Sequence, residues 1–204
     1  MRRWHAGGTA VLLFASWQAG AALYIPAKGW LAQLLLERAW SSASAGASAS
    51  KPWPWADTAP VARLRAPAQG IDLIVLAGVS GRTLAFGPGL ADGTAQPGVQ
   101  GASVIVGHRD THFAFLRELR IGDEIDLERP EGTRERFVVQ STEVVDSRSS
   151  RLNVSEQGRA LVLVTCYPFD AVMPGGPLRY VVTAEPVRVG AGSDPGSELG
   201  QSWL

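Results

Sequence analysis

The sequence predicts a mainly β domain closed into a barrel, and three observations carry that reading. Short apolar runs of strand length recur through residues 60–189. The spacers between them are rich in Gly, Pro, Asp and Ser, the residues that turn a chain. Within that region only residues 111–119 carry helical spacing. No internal repeat divides the region, so seven or eight strands and one or two short helices share one core. About 130 residues are enough to bury one.

The elements follow from the N-terminus. Arg2 and Arg3 precede GGTAVLLFASWQAGAALYIPA, which reaches Lys28 without a charged side chain. About 20 such residues cross a hydrocarbon core of ~30 Å. Trp4 and Trp30 bracket the run as interfacial aromatics do, and the two arginines favour a cytoplasmic N-terminus. Residues 1–28 are therefore read as a transmembrane helix that precedes the barrel. That places the remainder on the periplasmic or extracytoplasmic side of the inner (cytoplasmic) membrane. A cleaved signal peptide is the rival, because Ala19-Gly20-Ala21 resembles a cleavage site. The run continues through Leu23, Tyr24 and Ile25, past a usual signal core, which favours the anchor. Nothing polar divides it into two faces, which disfavours a buried core helix.

Residues 29–59 read as a linker that ends in a strap. GWLAQLLLERAW (29–40) either extends the anchor helix or lies on the membrane surface. SSASAGASAS (41–50) has the composition of a flexible linker. In KPWPWADTAP, Pro52, Pro54 and Pro60 keep the chain extended, and Trp53 and Trp55 need a surface for their rings. Strands are then expected at 71–78, 83–87, 102–108, 123–128, 135–145, 160–166 and 178–187. A short helix fits THFAFLREL (111–119), with Phe115, Leu116 and Leu119 on one face and Thr111 as its cap. The tail, residues 190–204, reads as disordered.

Composition narrows the function. The chain has 19 Lys+Arg against 19 Asp+Glu, and a nucleic-acid binder should carry a basic excess. Its one cysteine, Cys166, forms no intramolecular disulfide, and without a CxxC there is no thiolate zinc cluster. The H-x-D-x-H spacing of His108, Asp110 and His112 can present three ligands, but Arg109 between them disfavours a cation.

Three strand termini carry chemistry. SVIVGH runs an apolar strand into Gly107 and His108, ALVLVTC ends another at Thr165 and Cys166, and LRYVV carries Arg179 after a Pro/Gly-rich loop. Strand ends on a rigid scaffold are where catalytic groups lie. A Cys, a His and an Arg together suit nucleophilic acyl transfer. The thiol attacks a carbonyl, the His handles the leaving-group proton, and the cation stabilises the oxyanion. Residue types alone leave open the reading that Cys166 is a small buried apolar group. His112 fits local packing better than catalysis, and Asp110 fits either orientation of a site group or helix capping. Tyr167 and Phe169 fit either a substrate groove or the core.

The segments GHRDTHFAFLREL, IGDEIDL, LVLVTCYPF and GGPLRYVV, in that order, resemble the sortases, membrane-anchored cysteine transpeptidases. HRDTHF, TCYPFD and the upstream PWPWADT look most like the branch found in Gram-negative proteobacteria. The resemblance covers residues 52–187. It implies a sortase-like eight-stranded β-barrel over residues 60–189, with Cys166 as nucleophile, His108 as general acid/base and Arg179 as oxyanion and substrate-positioning cation. Thr165 and Tyr167 are the implied substrate-binding neighbours, and no metal or cofactor is needed. The implied partner is a protein with a C-terminal LPxTG-like sorting signal, cut after its Thr and joined to an amine whose identity the sequence does not give. The alternatives are a thiol peptidase that mainly hydrolyses the acyl-enzyme, and an inactive membrane-tethered barrel used as a binding module.

Overall fold

A computed structural model describes residues 28–46, 50–149, 158–173 and 175–187. Eight strands close into a barrel: β1 (Pro60–Ala66), β2 (Ile71–Ala77), β3 (Gly89–Leu90), β4 (Gly101–Val106), β5 (Glu124–Glu128), β6 (Arg134–Asp146), β7 (Arg159–Cys166) and β8 (Leu178–Pro186). The order around the barrel is β1-β2-β3-β4-β7-β8-β6-β5, and β5 pairs β1 to close it. Most pairs are antiparallel; β2 with β3 and β4 with β7 are parallel.

The alternation of each strand sorts its side chains between two faces. Leu64, Val75, Ile105, Ile125, Leu127, Phe137, Val139, Leu161, Leu163 and Val182 fill the interior. On β4, β7 and β8 the opposite face is also covered, by a cluster of Val104, Val162, Val164 and Val181. This double burial explains why ALVLV is apolar throughout rather than alternating.

β1 is the strand that strand-spotting by apolar runs misses. Its interior positions are Ala62, Leu64 and Ala66, two of them small, and arginines alternate with them. Outside the barrel, Arg63 meets Asp72 and Glu37, and Arg65 meets Glu128 at 2.6 Å. These contacts lace β1 to both neighbours. The strand expected at 83–87 is instead a helical turn, α2 (Gly81–Leu84). Ser80 caps it, accepting from the Thr83 amide at 3.2 Å, and local capping prevails over the β propensity of a five-residue window. The strand of that region is the two-residue β3.

The expectation for residues 29–50 changes too. Residues 28–44 form a helix, α1, whose Leu36 and Trp40 pack on Ile74, Leu76 and Phe86 of the barrel. Gln33 donates to the Phe86 carbonyl at 2.8 Å. The helix runs on through residues 41–44 of the Ser/Ala stretch expected to be a flexible linker. Once docked, such residues add turns at little cost. The strap divides: Trp53 meets Phe86 edge-on at 4.9 Å, whereas Trp55 is 82% exposed. Thr58 fixes the strap by donating to the Ala77 carbonyl at 2.7 Å.

The helix expected at 111–119 is a shorter 3-10 turn, Ala114–Glu118. Phe115, Leu116 and Leu119 are buried as expected, and Phe113 joins them. Thr111 does not cap it. The amides of Thr111 and Phe113 both donate to the His108 carbonyl, so the segment is turned directly off the end of β4. The apolar run expected to cross a membrane and the tail both lie outside the described residues. Among the described residues, no helix is long and apolar enough to cross one.

Candidate active site

Register brings the three strand termini together. β4 and β7 run parallel with Val106 beside Val164, and the Gly107 amide extends the pairing by donating to the Val164 carbonyl at 3.1 Å. Two residues further along each strand lie His108 and Cys166. β7 and β8 are antiparallel with Cys166 directly opposite Arg179. Val104, Val106, Val164 and Val181 belong to the outer cluster, and side chains alternate, so His108, Cys166 and Arg179 share that outer face at one end of the barrel. The sequence-predicted site residues, 58 and 13 positions apart along the chain, are thus neighbours on three adjacent strands.

The inward-facing residues hold this arrangement. Thr165 is 1% exposed, and its hydroxyl donates to the Gly107 carbonyl at 2.7 Å, tying the strand of Cys166 to the segment of His108. The hydroxyl is thus committed to the scaffold. Gly107 has its own requirement. A Cβ there would lie 2.7 Å from Cγ of the fully buried Phe113, so a glycine must precede the histidine.

Arg109 is the residue whose importance the sequence does not reveal. Read from the chain as an argument against a metal, it is 7% exposed and bonds to the loop beyond Cys166. Its Nη1 donates to the Pro168 carbonyl at 2.8 Å, Nη2 to the Ala171 carbonyl at 2.7 Å, and Nε to Asp110 at 3.1 Å. One guanidinium thus staples the β7–β8 loop to the segment that carries His108. Asp110 pairs with this arginine instead of capping a helix. The signal available in the sequence was position: an arginine fixed between a strand terminus and a buried Phe has little room to reach water.

Arg179 bends back on its own loop, with Nη1 donating to the Gly176 and Leu178 carbonyls at 2.7 and 2.8 Å. Among the described residues no carboxylate pairs with it, and its Nε and Nη2 have no partner. The guanidinium is therefore oriented by two carbonyls, and three of its five N–H groups, on Nε and Nη2, meet no partner among the described residues. His108 is exposed and Cys166 half-buried. Burial, and then the charge of His108, push the His112 imidazole below its ordinary range, so His112 is neutral at neutral pH.

Tyr167 follows Cys166 in the chain. It stacks on Tyr180 at 6.2 Å and meets Phe169 edge-on, and Phe169 meets Tyr180 at 5.2 Å. Arg117 lies over the Phe169 ring at 5.6 Å. Phe169 and Tyr180 pack against the interior core. Beyond Phe169 the loop leaves Val172 and Met173 bare.

A sortase-domain family model matches residues 64–187, well over half of the chain. Sortase D of Bacillus subtilis is 30% identical over 119 residues, covering 58% of this chain and 60% of that protein. The chain thus spans less than two thirds of that relative's length. Sortase C-1 from Actinomyces oris is similar with a TM-score of 0.54 and 30% identity, over 63% of this chain and 74% of that one. Sortase A from Corynebacterium diphtheriae shares the fold with a TM-score of 0.59 at 24% identity, over 68% of this chain and 65% of that one. The chain belongs to the sortase family.

Proposed function

We propose that the protein is a membrane-anchored cysteine transpeptidase that processes a C-terminal sorting signal of the LPxTG type. The observation that carries this reading is the side-by-side placement of Cys166, Arg179 and the His108 terminus on one barrel face. In the first half-reaction Cys166 passes its proton to His108 as its sulfur bonds to the carbonyl carbon of the signal's Thr. The free donors of Arg179 meet the developing oxyanion. The C–N bond then breaks, His108 delivers a proton to the departing amine, and a thioester remains. In the second half-reaction an incoming amine attacks the thioester, His108 takes its proton, and the sulfur leaves.

Membrane attachment through residues 1–28, with the barrel on the extracytoplasmic side, rests on the uncharged run after Arg2 and Arg3. Placement in the proteobacterial branch rests on the wording HRDTHF and TCYPFD. The chemistry of the thioester leaves one alternative, since water competes with the amine and would make the protein a peptidase. Product analysis of a fluorogenic LPxTG-type peptide, with and without a simple primary-amine acceptor, separates the two. Transpeptidation predicts an amine-dependent amide product; hydrolysis predicts the free acid under both conditions. Cys166→Ala should abolish both products, and His108→Ala should cost ~10²–10⁴-fold. Turnover by Cys166→Ala at the wild-type rate would overturn the reading.

A further inference from the structure

α1 is docked unevenly. Its later turns are covered, with Leu36 and Trp40 buried on β2. Its first turns are bare, with Trp30 70% and Leu31 50% exposed. Beside them a groove of about 710 Å³ opens between α1, the strap and α2, lined by Leu31, Ala32, Leu35, Trp53, Trp55 and Phe86. Trp55 is exposed at its mouth, and Lys28, Asp57 and Arg82 form the rim. Contiguous exposed tryptophans and leucines on a soluble face are unusual and mark a contact surface.

Two observations identify the occupant. The bare end of α1 is the end that follows residue 27, where the uncharged run of residues 6–27 stops. The groove therefore lies where a chain emerging from a bilayer would first be free to fold. The chemistry also matches an interface: indole rings prefer the headgroup layer, and cationic side chains beside them meet lipid phosphates. Arg82 is 86% exposed in its side chain, with Asp57 at 3.8 Å as its carboxylate neighbour.

We propose that this groove is a membrane-docking surface. Trp30, Leu31 and Trp55 seat in the interfacial layer of the lipid bilayer while Arg82 contacts its phosphates. The barrel is then held against the membrane in one orientation instead of swinging on a tether. The proposal rests on the reading of residues 1–28 as an anchor, and the two fail differently.

The test uses the full chain in lipid nanodiscs with Cys166→Ala, which removes the native thiol. A single probe site is introduced as Gly81→Cys, at a groove-lining position where an added side chain meets nothing within 4 Å. A reference site is Glu131→Cys in the β5–β6 turn. Each carries an environment-sensitive fluorophore, and the discs contain lipid spin-labelled near the headgroup. Docking predicts blue-shifted, strongly quenched emission at position 81 and little quenching at 131. Adding Trp30→Ser and Trp55→Ser should lift the quenching at 81. Equal quenching at the two positions overturns the proposal. So does a probe at 81 that is shielded from water yet untouched by the lipid quencher, which would mean a second copy or the chain's own segment fills the groove. Failure of the full chain to float with liposomes overturns the anchor reading, and this proposal with it.

Discussion

Thr165→Val tests the strand-to-strand tie beneath the site. Valine keeps the branched shape of threonine but removes the hydroxyl that donates to the Gly107 carbonyl at 2.7 Å. The bond is buried: Thr165 is almost wholly enclosed, Gly107 is buried, and the Phe113 ring closes over it. Water therefore has little access to replace the donor. Leaving a buried acceptor unmet costs about 1–3 kcal/mol, and this enclosure favours about 2. For a folded unit of ~130 residues that corresponds to a fall in Tm of roughly 6–12 °C. Thr165→Ser keeps the donor and loses only a methyl, so it should cost about 1 kcal/mol. Thermal unfolding of the full chain in detergent, alongside turnover of the peptide, reads both effects. Val should melt well below Ser, and its kcat should fall more than its KM rises, because Gly107 positions His108 next to Cys166. A Val variant as stable as wild type, or a Ser variant less stable than Val, would refute the reasoning.

Three further outcomes follow from the same geometry. Gly107→Ala drives a Cβ into the Phe113 ring, an overpacking worth ~1–3 kcal/mol, and should lower both Tm and turnover; unchanged melting would show that the ring moves freely. Arg109→Met removes two charge-assisted bonds to the β7–β8 loop, each worth ~1.5–3 kcal/mol before the relief of a buried charge is counted. Amide exchange across residues 169–173 should quicken, and a wild-type exchange pattern would dismiss the staple. Acid should loosen the β2–β1–β5 seam. Burial pushes the Asp72 and Glu128 carboxyls up, but Arg63 on the first, and Arg65 and Arg134 on the second, outweigh it and hold both below the ordinary range. Folded values below unfolded ones mean that this stabilisation is complete above about pH 5 and is lost as pH falls through the folded values. Asp72→Asn should therefore flatten the acid limb of Tm against pH, and an equally steep limb would contradict the assignment.

The chemistry-bearing residues were legible because each ends a strongly apolar strand, a pattern visible in one dimension. Their adjacency was not, since it depends on β4 pairing in parallel with β7 across a long connection, and pairing leaves no local mark. β1 escaped because alanine fills its interior positions and arginine its exterior, which weakens the alternation signal. The segment 83–87 misled because its β-prone residues follow Ser80, a cap whose effect on so short a turn is easily overlooked. For residues 29–40 the chain left a choice between extending the anchor helix and lying on the membrane, because a sequence does not say which apolar surface will cover such a segment. Leu36 and Trp40 chose the barrel. Arg109 escaped for a related reason: burial of a guanidinium is a property of what packs around it.

The central claim is that Cys166 becomes acylated with His108 and Arg179 as its working partners. Intact-mass and peptide-mapping spectrometry of the full chain, quenched in acid during turnover of an LPxTG-type peptide, tests it most directly. The account predicts an adduct equal to the acyl portion of the peptide, located on Cys166. The adduct should be absent from Cys166→Ala and should form far more slowly in His108→Ala and Arg179→Ala. An adduct on another residue, or one that forms at the same rate without His108 or Arg179, would contradict it.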